Sequence, residues 1–65
     1  MFEKEKLTAY IMKSGLSMQQ IADKMGIHIT TLYRKMNREG DFNWKEIIIL
    51  CYVLSIRNPE EIFFA

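Results

Sequence analysis

The stretch SMQQIADKMGIHITTLYRKM, residues 17–36, decides the fold. Ser17 offers a side-chain oxygen to the first free amides of a helix, the usual work of an N-cap. Ile21, Ala22 and Met25 then recur at helical spacing and give that helix one apolar stripe. Gly26 follows at once, where a left-handed residue ends a helix without a Cβ clash. Ile27 plugs the corner. Leu32 and Met36, four apart, give a second helix an inward face. Ala22 is small, and two helices crossing steeply through a short turn need a small side chain where they approach most closely. The pattern predicts helix, tight turn, helix, with helices over residues 18–25 and 29–37.

Ile21, Ala22, Gly26, Ile27 and Leu32 together resemble the Cro/repressor (Xre, lambda-repressor-like) helix-turn-helix proteins of phages. The flanks extend the resemblance. Leu7, Ile11 and the Gly15-Leu16 pair resemble that family's first helix. GDFNWKEI at residues 40–47 and PEEIFF at 59–64 resemble its small phage members. The resemblance implies an all-α fold, a compact bundle of about five short helices, in one domain over residues 1–65. It also implies that the N-terminus of the second helix sits on the DNA backbone, through a glutamine at the first helical position. Met18 stands there, and Gln19 is the substitute. A Ser or Thr normally caps the recognition helix, where this chain has His28. Imidazole is the poorer cap, so either the helix frays at its start or His28 has another task. A protonated His28 donating to phosphate strengthens binding below about pH 6.5; the alternative is a tolerated surface residue.

With Leu32 and Met36 inward, the recognition helix turns Ile29, Thr30, Tyr33, Arg34 and Asn37 outward. The Arg34 fork suits guanine O6 and N7, or a phosphate where the angle is wrong. Thr30 can bond a base edge, and Ile29 suits a thymine methyl. Tyr33 stacks on or bonds the backbone, or packs over the first helix. Lys35 and Arg38 flank this face with the reach for phosphates, contacts that position without reading sequence.

Charge supports a single DNA-facing side. Residues 1–38 carry seven bases against three acids, a balance of +4; residues 39–65 carry two against five, a balance of −3. Overall the charge is only +1, so distribution and not total carries the inference. Sixty-five residues lie near the lower limit for a chain folding without metal or disulfide, and 49% hydrophobic residues suffice for a core. One cysteine excludes an internal disulfide, no Cys/His cluster offers a metal site, and no cofactor motif is present. The start shows no signal-peptide pattern, and the longest apolar run, residues 47–54, is too short for a bilayer. Together with the resemblance, these features place the protein in a bacterial host cytoplasm, away from membranes.

Outside the central stretch, a first helix is expected over about residues 2–14, with Leu7 and Ile11 as core partners and Gly15 as its stop. Arg38, Glu39, Gly40 and Asp41 form a loop. Asn43 with Glu46 reads as a capping box opening a helix over residues 44–54, with Trp44 lying over the core. Ile47, Leu50, Cys51 and Leu54 make its inward stripe, Cys51 as a small buried apolar group. Pro59 with two glutamates behind it starts a short last helix through Phe64.

The fourth helix has more apolar surface than one stripe needs. Ile48, Ile49 and Tyr52 fall off the core side, and adjacent Phe63 and Phe64 are hard to bury together. Such a patch points to a partner, and a second copy is the obvious one. A twofold dimer places two recognition helices about 34 Å apart and requires a roughly palindromic operator on double-stranded DNA. Otherwise the last helix folds back over these groups. Two functions compete: a Cro-like transcriptional repressor occupying an operator, and a small interaction module or antirepressor that binds a larger repressor through the fourth-helix patch. Catalysis has no constellation, since one histidine and one cysteine lie on separate elements.

Overall fold

Local capping decides where each helix begins and ends, and five helices result in a computed structural model that describes residues 1–38 and 40–64. They are α1 (Lys4–Ser14), α2 (Met18–Met25), α3 (Ile29–Asn37), α4 (Trp44–Leu54) and α5 (Glu60–Phe63). No strand occurs among the described residues. Glu39, expected in the loop after α3, lies outside them.

Two capping boxes open helices. In α2 the Gln20 amide donates to Ser17 Oγ at 3.1 Å and the Ser17 amide donates to Gln20 Oε1 at 2.8 Å. In α4 the Glu46 amide donates to Asn43 Oδ1 at 2.8 Å and the Asn43 amide to Glu46 Oε1 at 2.9 Å. At the other end, Gly26 turns left-handed at φ 71° and lets the Ile27 amide reach back to the Ala22 carbonyl at 3.1 Å. Ser55 does the same for α4 at φ 56°, with the Ile56 amide on the Cys51 carbonyl at 2.9 Å.

Each helix sends one side chain into the fully buried centre: Leu7, Ile21, Leu32, Leu50 and Ile62. Ala22 is likewise fully buried, as the close crossing requires. Ile11, Met25, Met36, Ile47, Leu54, Ile56 and Phe63 complete the core. The all-helical bundle with a helix-turn-helix at α2–α3 is the architecture the sequence predicts.

Several details differ. Helix α1 begins at Lys4, because Phe2 leaves the helical path to join an aromatic cluster. Its ring lies 5.8 Å from Phe42 and 5.9 Å from Phe63, and those two meet edge-on at 5.7 Å. The Glu3 amide donates to the Ile62 carbonyl at 2.7 Å and ties the first residues to α5. Gly40 closes over this cluster at φ 69°, and a Cβ there would run into the Phe2 ring. Phe63 is therefore a core residue at 9% exposure and not part of an interface patch, while Phe64 stays 59% exposed. Trp44 does not lie over the core; its first-turn position points it to solvent. Cys51 is half-buried rather than buried, and that burial, followed by the Glu60 carboxylate, pushes its thiol pKa up. Pro59 caps α5 instead of opening it.

Candidate nucleic-acid interface

The outward face of α3 follows from about 100° of rotation per residue around an inward side set by Leu32 and Met36. Arg34 stands opposite that side, with Thr30 and Arg38 one turn to either end of it, and all three are exposed. Neither arginine forms an ion pair with a described residue. Asn37 is exposed too, but its Oδ1 accepts from Lys4 Nζ at 2.7 Å, a bond from α1 across 33 positions of sequence. Nothing in the sequence signals that contact.

Four expectations for this face change or, for the two readings of Tyr33, narrow in the folded molecule. Ile29 lies at the edge of the inward side and packs half-buried on the core instead of standing fully outward. Tyr33 leans toward α1, where it helps line an apolar hollow of about 440 Å³ with Ile11, Met12, Met18 and Met36. The residue as a whole is still about half exposed. Lys35 is not a free flanking cation. Its Nζ sits 3.2 Å from Glu46 Oε1 and donates to the Asp41 carbonyl at 2.8 Å, which fastens α3 to the start of α4.

The fourth change concerns His28. The helix does not fray, because His28 Nδ1 accepts the Thr30 amide at 3.2 Å and acts as the cap. The same nitrogen lies 2.8 Å from Thr30 Oγ1. A nitrogen that accepts carries no proton, so the Thr30 hydroxyl donates inward and presents only acceptor lone pairs outward. Base-edge donors, adenine N6 or cytosine N4, are what such an oxygen takes.

At the N-terminus of α2, Met18 is half-buried against the core and is not a polar contact. Gln19 is exposed, with its amide nitrogen donating to Asp23 Oδ1 at 2.9 Å. A carboxylate so close to the Gln19 amide opposes the approach of an anion there.

The other surface feature is α4. Trp44, Ile48 and Tyr52 follow one another at four-residue spacing and are 64, 51 and 89% exposed. Ile49 is half-buried next to them and, with Val53 and Lys24, lines a shallow hollow of about 480 Å³. The exposed tryptophan extends the patch expected from Ile48, Ile49 and Tyr52 by one turn. Its spacing from Ile48 was the available signal.

A short-turn helix pair over a small alanine, with an arginine-bearing second helix facing solvent, defines a helix-turn-helix DNA-binding module. Residues 1–38 match the family model described as bacterial regulatory protein, Fis family, and the chain belongs to that family. The match spans α1 to the end of α3, so it takes in the whole helix-turn-helix and stops before α4. What this family and the Cro/repressor resemblance share is the helix-turn-helix itself. No curated protein matches the chain, and no solved structure does. No helix among the described residues is long and apolar enough to cross a membrane.

Proposed function

We propose that this protein is a sequence-specific, Cro-like transcriptional repressor that occupies an operator through α3. One observation carries the reading: Arg34 stands at the centre of the outward face of α3, exposed and without an ionic partner among the described residues. Arg34 reads a guanine edge, Thr30 a neighbouring base, and Arg38 a phosphate, with Tyr33 and His28 at the margins. Gln19 adds a weaker backbone contact. The α4 stripe of Trp44, Ile48 and Tyr52, with Ile49 and the exposed Phe64, is the surface through which two copies pair. Pairing sets the two α3 helices about one turn of DNA apart on a roughly palindromic site.

Selection of duplexes from a random pool, followed by titration of the best one, tests this reading. Arg34→Ala is expected to cost about 1–3 kcal/mol of specific binding and to relax preference at one base pair. Unchanged specific affinity would place the recognition face elsewhere. The same α4 stripe favours a second reading, a module that binds a larger repressor protein instead of its own copy. Sedimentation of the pure chain, alone and with the selected duplex, separates the two. A dimer bound to one duplex supports the repressor. A monomer indifferent to DNA supports the module.

A further inference from the structure

We infer that Glu46 is a specificity-determining residue: it holds Lys35 of the recognition helix away from the DNA backbone. The inference rests on the DNA-binding reading above and adds a residue from α4, outside the helix-turn-helix.

The two capping boxes make the case. Gln20 and Glu46 occupy the same position in their helices and make the same reciprocal pair of bonds. A glutamine therefore serves this box fully in this molecule, and the charge on Glu46 is not needed for capping. That charge lies 3.2 Å from Lys35 Nζ, with the two side chains only 9 and 14% exposed. Sheltered from water, the pair is screened less than a surface bridge. Glu46 is also the one buried charged residue among those described.

Lys35 lies on the flank of α3 that faces α4, in the part of the helix that also carries Arg34 and Arg38. A lysine on such a flank has the length to meet a phosphate, which adds affinity for every sequence alike. Captured by Glu46 and the Asp41 carbonyl, it adds none. The outward cations of α3 are then Arg34 and Arg38, and a larger share of binding comes from base edges. Replacing Glu46 by glutamine keeps the box and leaves Lys35 with neutral acceptors, free to exchange them for a phosphate.

The test measures binding of the full chain to a random-sequence duplex by fluorescence anisotropy between about 50 and 200 mM salt, the range over which each phosphate contact adds about 0.9 to the log–log slope. Glu46→Gln is expected to steepen the slope by about 0.9 per bound protomer and to raise non-specific affinity. Lys35→Met alone leaves the slope unchanged, and the double variant returns it to the wild-type value. A role limited to bracing the fold would lower affinity without moving the slope.

A Glu46→Gln slope parallel to wild type overturns the inference, as does a Lys35→Met slope flatter by about one contact. Should Glu46→Gln fail to fold by circular dichroism, Lys35→Met decides on the same criterion. Wild-type protein that binds no duplex overturns the DNA-binding reading and the inference together, whereas binding with no change in slope overturns the inference alone.

Discussion

Helices α2 and α4 are built to one plan and differ in what they show to solvent. Both open with a capping box, both close on a left-handed residue, and both bury an apolar stripe against the same centre. On α2 the exposed positions are Gln19, Gln20, Asp23 and Lys24; on α4 they are Trp44, Lys45, Ile48 and Tyr52. Water satisfies the first set and gains nothing from the apolar members of the other. The buried face of a helix reports the fold, and its exposed face reports the company it keeps. Among the described helices α4 carries the most large exposed apolar side chains, Trp44, Ile48 and Tyr52.

The comparison predicts equal sensitivity inside and unequal sensitivity outside. Ile21→Ala and Leu50→Ala, one at the buried centre of each helix, should each lower unfolding free energy by about 2–5 kcal/mol in a denaturant titration. A much smaller loss at Leu50 would mean that α4 is only loosely docked. The ends come next. Gly26→Ala places a Cβ on a left-handed residue and should cost about 1 kcal/mol, while Ser55→Gly removes that strain from α4 and should raise stability by up to about 1 kcal/mol. Equal and opposite shifts in thermal midpoint would show that the two ends differ only in residue type. The exposed faces come last. Ile48→Ser should change monomer stability by no more than about 0.5 kcal/mol, yet weaken self-association in sedimentation. Gln19→Ser on α2 should leave both unchanged. If Ile48→Ser leaves association intact, the α4 stripe is not where copies meet.

Much of this molecule is legible in the sequence because its punctuation is local. Ser17 and Gln20, Asn43 and Glu46, and Gly26 act within four residues of the bonds they make, so α2 to α4 fall where the caps imply. The core follows for the same reason, since helical spacing selects Leu7, Ile21, Leu32 and Leu50 without knowledge of the crossing angles. Across longer separations, residue type alone does not name a partner. A lysine on α3 reads as a phosphate ligand until Glu46 is found beside it, and Lys4 gives no hint of Asn37. Trp44 and Phe63 depart from expectation in opposite directions: the tryptophan reads as core and is exposed, whereas the phenylalanine reads as surface and is buried. For Phe63 the deciding neighbour is Phe2, at the far end of the chain. His28 is a subtler case. Imidazole ranks low as a cap on average, yet one correctly turned nitrogen is enough.

The aromatic cluster has a consequence for the order in which the chain folds. Phe2, Phe42 and Phe63, with the bond from Glu3 to Ile62, join segments separated by nearly the full length of the protein. The helix-turn-helix, by contrast, draws on contacts only a few residues apart. Closing the longest loop costs the most chain entropy, so α2 and α3 are expected to condense first and the ends to seal afterwards. A clasp made that late governs the rate of opening more than the rate of assembly. Shortening any of the three phenylalanines is therefore expected to speed unfolding more than it slows folding, and only one of the three precedes the last residue matched by the family.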